Sequence, residues 1–295
     1  VNSIQHTTSG SVTAAAPSAA PAVRRAVAPR PRKTRRRAIA IGQVVVSFAA
    51  AGLLWDLLRT VGVLPTKYFP EIVAILRQLW TELGNGAGPG TMLHATGETL
   101  EAWCLGFVIA GAIGIVLGLL VGNSAYAAAT LAPLLRFVRS TPAVAFIPAA
   151  ILVAGVGLKA KLLIVVFAGV WPVLLNVAEG VRHVPPQYRD TAGAVGFGHR
   201  DLITKVIVPT ISPAIVTGLR VSISLTFAVT IGVDLLIGHS GLGALIAQDE
   251  AVANLTSAYA GIVWAGLLGA LLNVALLAIE RKVLFWSPEY RSKRS

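Results

Sequence analysis

Residues 187–213 read QYRDTAGAVGFGHRDLITKVIVPTISP. This is the longest polar stretch lying between strongly apolar ones, and it follows a double proline, Pro185-Pro186. Arg189–Val195 are helix-compatible residues, and Gly196 is placed to end them; Asp201–Val208 resume a helical pattern, which Pro209 interrupts. The expectation is two short helices with a glycine corner, a compact knob that can fill a socket. Taken alone, the residues favour the plainer reading, an ordinary loop between two apolar spans.

Working outward, the apolar runs have the length of bilayer crossings. Ala38–Leu58, Leu162–Ala178, Pro213–Ile237 and Ala258–Ile279 are near the ~20 residues that cross a hydrocarbon core, and Thr91–Val121 contains a further span. A further run, Ala143–Val156, is short and broken by Pro148. Of the 295 residues 55% are hydrophobic and 13% charged, against about 25% charged in a soluble domain, and the mean hydropathy is +0.73. The fold class is therefore all-α, a polytopic membrane protein with about six transmembrane helices. Between the first two spans, Pro70–Leu83 places Ile72, Ile75, Leu76, Leu79, Trp80 and Leu83 at helical spacing, a short amphipathic helix for a membrane face or the bundle. In the second span Gly106, Ala110, Gly114, Gly118 and Gly122 recur every four residues. Glycine costs about 1 kcal/mol in a helix, so such a stripe makes sense where a neighbouring helix approaches closely.

The net charge of +12 could suit nucleic acid, but the basic residues collect at the edges of apolar runs, as topology signals do. With the N-terminus inside, and the arginine-rich segment 24–37 left out, the inner segments hold eleven Lys and Arg against five outside. Both termini and the 179–212 loop are then cytoplasmic. Residues 1–38, Ala/Pro/Ser-rich and then basic, read as a disordered cytoplasmic tail that sets topology, with anionic-lipid contact as the alternative. Residues 39–90 carry the first span and the external amphipathic helix, 91–282 the core, and 283–295 a second basic tail.

The spacing Asp190-Thr191-Ala192, Gly196, Pro209 resembles the EAA loop of binding-protein-dependent ABC transporter permeases. STPAVAFIPAAILVAGVGLKAK (140–161), PVLLNVAEGVRHVPPQYRDTAGAVG (172–196) and GHSGLGALI (238–246) resemble, in order, the third span, the fourth span with loop entry, and the external connector of the nitrate/sulfonate/taurine branch. The resemblance covers about Thr91–Trp286 and implies a MetI-like permease core. It departs from the motif at Asp190, usually glutamate, and at Thr191, usually alanine. It further implies that Asp190, Thr191, Ala192, Gly196 and Pro209, within 187–209, dock on cytoplasmic ABC ATPase subunits. The resemblance also implies an extracytoplasmic solute-binding protein and a second permease chain, in a homodimer or a pseudo-symmetric heterodimer, in a bacterial inner membrane, with a small anion such as a sulfonate or nitrate as cargo.

The chain has no G-x-x-x-x-G-K-[ST], so ATP is expected on a partner ATPase and no cofactor on this chain. No catalytic set or metal site is recognisable: H-E-x-x-H and G-x-S-x-G are missing, the single Cys104 excludes an internal disulfide, and His183 and His199 read as solvated loop residues. A self-sufficient secondary transporter or channel is the alternative; it would need an intramembrane ionisable relay. In the fifth span Ser222, Thr226, Thr230 and Asp234, every four residues, form a narrow polar seam expected to line the pathway. The competing reading gives the hydroxyls to backbone carbonyls and helix packing.

Overall fold

A computed structural model describes residues 33–237 and 239–283. The expected tails over 1–32 and 284–295 lie outside the described residues. The chain divides into two compact units, residues 1–53 and 54–295. In the first, residues 33–53 are helical. Helix α1 begins at Lys33, so residues 33–38 are helical where a disordered tail was expected. All the packing below belongs to the second unit.

The elements are helices: α1 (Lys33–Thr60), α2 (Ile72–Gly84), α3 (Met92–Asn123), α4 (Ala125–Ser140), α5 (Ile147–Ala154), α6 (Leu158–Arg182), α7 (Pro186–Ala194), a helical turn α8 (His199–Asp201), α9 (Val208–Ile237), α10 (Leu242–Ala251) and α11 (Leu255–Val283). Among the described residues five helices are long and apolar enough to cross a membrane, and a sixth crossing is available from α4 and residues 143–154, which meet at 86°. That bend explains why the third span looks short in sequence. Pro142 forces Thr141 into an extended conformation, ending α4, and Pro148 sits in the first turn of α5, where a missing N–H costs nothing. Residues 125–140 form helix α4.

The glycine stripe sets the core. A Cβ on Gly106 would strike Val165, on Gly114 Val173, on Gly118 Val177 and on Gly122 Val181. Each valine lies 59 positions after its glycine, so α3 and α6 run parallel in fixed register. Such spacing brings backbones close enough for dispersion to hold them where no hydrophobic effect operates between helices. On α6, Gly169 receives Ser222 and Thr226 of α9, and Gly180 receives Ala214. There the partner number falls as the glycine number rises, so α6 and α9 are antiparallel.

The amphipathic helix forms as α2. Ile75 and Leu79 are buried against the cluster containing Met92, Leu242, Ala260 and Leu268, whereas Trp80 is 81% exposed. Gln78 Nε2 donates to Ser257 Oγ at 3.0 Å, fixing α2 to α11. The end of α1 is tied to the link before α2: Trp55 Nε1 donates to the Pro70 carbonyl, Arg59 pairs with Glu71 at 3.0 Å, and Trp55 stacks edge-on with Phe69 and Tyr259.

Candidate functional site

The polar stretch forms the knob. α7 closes in a Schellman motif: Phe197 N–H donates to Ala192 O at 2.9 Å and Gly196 N–H to Gly193 O at 3.0 Å. Gly196 takes φ +83°, the left-handed conformation a β-branched residue resists. Ala192 is buried, and it and Phe197 line a depression of about 390 Å³ with Tyr188, Thr191, Val195 and Val206. Asp190, Thr191, Gly196 and Pro209 are exposed. Arg189 Nη2 reaches Asn123 Oδ1 and Val181 O, both at 3.4 Å, anchoring α7 to the ends of α3 and α6.

The second half of the knob departs from expectation. Pro209 does not end a helix. From α8 the chain passes through a π-helical turn, Leu202–Ile207, directly into α9, which begins at Val208 and continues through Pro213. Pro209 lies in the first turn of α9, and the wide turn shifts the hydrogen-bond ladder just ahead of the proline, which has no N–H to give.

The seam on α9 faces inward. Ser222, Thr226, Thr230 and Asp234 are each 0% exposed. Ser222 Oγ donates to Gly169 O of α6 at 2.9 Å; Thr226 Oγ1 donates to Ser222 O at 2.7 Å and accepts from Trp103 Nε1 of α3 at 3.1 Å; Thr230 Oγ1 donates to Thr226 O at 2.8 Å. Where the expectation was a pathway lining, these four form in this structure the contact surface of α9 with α3 and α6. Hydroxyls satisfy themselves on carbonyls when lipid offers no partner.

Asp234 ends the seam in a buried ion pair. Lys161 Nζ lies 2.6 Å from Asp234 Oδ1 and donates to Ser240 O at 2.7 Å and Ser240 Oγ at 2.9 Å. Thr99 Oγ1 donates to Asp234 Oδ2 at 2.7 Å and accepts Leu242 N–H at 2.8 Å, while Glu98 accepts Gly241 N–H at 2.9 Å. Residues of α3 thus hold the first amides of α10. Gly241 has φ +94°, and a Cβ there would overlap the Asp234 carboxylate and the Thr99 hydroxyl. The glycine-rich connector lies this close because it carries no side chain at that point. Sequence reading missed Lys161, Thr99 and Ser240. Lys161 looked like an external charge beside Lys159, and nothing in the spacing joins positions 99, 161 and 234.

The open cavity borders the other face of α9. A groove of about 690 Å³ is lined by Val221, Leu225 and Val229 of α9, Phe167 and Trp171 of α6, and the Ser140–Val144 bend. Val221 is 49% and Leu225 41% exposed. A neighbouring cavity of about 630 Å³ shares Arg139, Ser140 and Leu175 with the groove.

The family described as "Binding-protein-dependent transport system inner membrane component" matches residues 112–284, more than half of the chain. The nitrate import permease protein NrtB of Leptolyngbya laminosa is 27% identical over 201 residues, 68% of this chain and 72% of that protein. The bicarbonate transport system permease protein CmpB of Synechococcus elongatus is 28% identical over 237 residues, 79% of this chain and 85% of that protein. Among solved structures, an inward-facing MetNI methionine ABC transporter contains a chain 20% identical, matched over 72% of this chain and 98% of that one with a TM-score of 0.51, a likeness of fold.

Proposed function

This chain belongs to the binding-protein-dependent transport system inner membrane components, and on that premise we propose that it forms part of the small-anion pathway of an ATP-driven importer and is worked through the 187–209 knob. Membership makes it a multi-pass membrane permease subunit rather than an enzyme, with ATPase and solute-binding proteins as its partner classes. The coupling residues are Asp190, Thr191, Ala192, Gly196 and Pro209, with ATP held by the partner ATPase. Both termini and the knob lie on the cytoplasmic side, by the distribution of Lys and Arg, and a second copy of the chain completes the pathway. The core is residues 91–282. Nitrate and bicarbonate, named for the two relatives, are planar oxyanions carrying one charge; a sulfonate head carries the same charge.

The observation that carries coupling is the knob's construction: a glycine-cornered pair of helical segments whose second arm continues without a break into α9. The groove beside Val221 and Leu225 is the pathway on this reading. Gly196→Val tests coupling in the transporter assembled with its own ATPase and binding protein. The expected result is ATP hydrolysis no longer stimulated by loaded binding protein, in a permease that still inserts and co-purifies. Hydrolysis stimulated as in the wild type would end the coupling proposal.

One observation bears on the alternative of a self-sufficient secondary transporter: an ionisable pair, Lys161–Asp234, is buried among the helices. Thr99 and Ser240 occupy its remaining bonds, and it lines neither cavity. The pair therefore supports a fastening rather than a relay. Uptake that persists without ATP and collapses with the proton gradient would favour the alternative.

A further inference from the structure

We propose that Arg136, Arg139 and Arg182 form an oxyanion-binding site in the cavity next to the groove, with Arg139 at the junction between the two. Arg136 and Arg139 come from α4 and Arg182 from the last turn of α6, yet all three line one space of about 630 Å³. Its other walls are mainly aliphatic, including Val121, Ala128 and Leu135, and no carboxylate lines it. Among the described residues none of the three guanidiniums takes part in an ion pair. A topology signal needs only charges on one side of the membrane; it does not need three of them around one cavity. The three side chains are exposed to this space; like charges beside low-dielectric walls repel one another, and an anion that enters relieves all three interactions at once. Guanidinium forks match planar or tetrahedral oxyanions by paired N–H donation.

The ligand is a small singly charged oxyanion, whether a free ion or the phosphate of an anionic phospholipid. Because Arg139 and Ser140 line both spaces, an ion leaving the groove meets this site next. Its role in transport rests on reading the groove as the pathway; its existence does not.

The test uses the full chain in phosphatidylcholine nanodiscs, with Cys104→Ala removing the single native thiol and Ser140→Cys placing a reporter. Modification by a sulfonate-bearing thiosulfonate reagent is compared with that by its trimethylammonium counterpart. The anionic reagent is expected to be at least tenfold faster, and each of Arg136→Gln, Arg139→Gln and Arg182→Gln to lower that ratio about threefold or more. Arg→Lys at the same positions should keep it, separating charge from folding. Nitrate slowing the reaction more than chloride at equal ionic strength identifies a free oxyanion. Slowing only when phosphatidylglycerol is added identifies the headgroup as the bound oxyanion. Equal rates for the two reagents, or a ratio that none of the three Gln variants moves, overturns the site. Val221→Cys and Leu225→Cys in the same background separate the two claims. If both are closed to aqueous reagents the pathway reading fails, while the ratio at position 140 still decides the arginines.

Discussion

On α9 the residues at 222, 226 and 230 each stand one position beyond those at 221, 225 and 229, about 100° around the helix. The hydroxyl set is wholly buried, and the aliphatic set borders the groove. In water the arrangement would be reversed. A bilayer offers hydroxyls nothing, so Thr226 and Thr230 turn to carbonyls of their own helix, Ser222 to Gly169 O of α6, and Thr226 also takes the Trp103 indole N–H, with Gly169 making the room. A surface along which ions slide has the opposite requirement: strong partners there would hold the cargo. The polar face therefore fixes the helix in place, and the apolar face borders the groove that the proposed function reads as the pathway.

The comparison breaks most visibly at its charged end. Asp234→Ala leaves Lys161 buried without its counter-charge and should lower stability by about 3–5 kcal/mol, read as thermal unfolding of the full chain in detergent. The double variant Lys161→Met with Asp234→Leu should recover most of that loss. A single variant as stable as the wild type would show that the pair fastens nothing. Next comes accessibility. In a Cys104→Ala background, thiols introduced at 221 and 225 should react with a small charged reagent about a hundredfold faster than thiols at 222, 226 and 230. A local opening free energy of about 3 kcal/mol suffices for that ratio. Equal rates at all five would erase the distinction between the faces. Thr226→Val should cost about 1 kcal/mol, because Trp103 Nε1 is then left with only the Ile223 carbonyl at 3.4 Å; an unchanged melting curve would mean that the bond carries no weight.

The smallest effect sharpens what a counter-charge does. Asp249 on α10 lies outside the spans, and its carboxyl is pushed above the usual carboxylate value by burial first and Glu82 second, against an Asn254 bond. The folded chain therefore holds that proton more tightly than the unfolded chain does. Stability is greater below the ordinary carboxylate range and falls as pH rises through it to the raised value. Asp249→Asn should remove that fall and leave the chain slightly more stable near neutrality, as seen in unfolding midpoints at pH 4 and 7. A midpoint change identical at both pH values would remove the linkage.

Much of this fold was legible because its signals are local. Apolar runs announce their own length. The Gly106–Gly122 stripe announces a close neighbour, though not that the neighbour is α6. Gly196 announces a corner because a positive φ is a property of one residue. The third span was misjudged because its helix turns through 86° at Thr141-Pro142, and hydropathy counts residues along a line. Pro209 was misjudged because the adjoining π turn changes what a proline there must break. The seam was legible as a distinct face, and its surroundings were not. Periodicity tells that two faces differ, and only the positions of α3 and α6 tell which of them meets protein. Lys161 was invisible for the same reason, its partners being 73 and 79 positions away.

The unbroken passage from α8 through the π turn into α9 has a mechanical consequence. His199–Ile237 is one 39-residue helix, about 55–60 Å at 1.5 Å per residue, nearly twice the ~30 Å hydrocarbon thickness. Its near end lies three residues beyond the Gly196 corner, and its far end carries Asp234. A rod of that reach is a lever, stiffened by its own backbone hydrogen bonds except at the π turn, Pro209 and Pro213. On the coupling proposed above, a tilt applied at the knob reaches the far end of α9 as displacement, with no chain of side chains needed to pass it on.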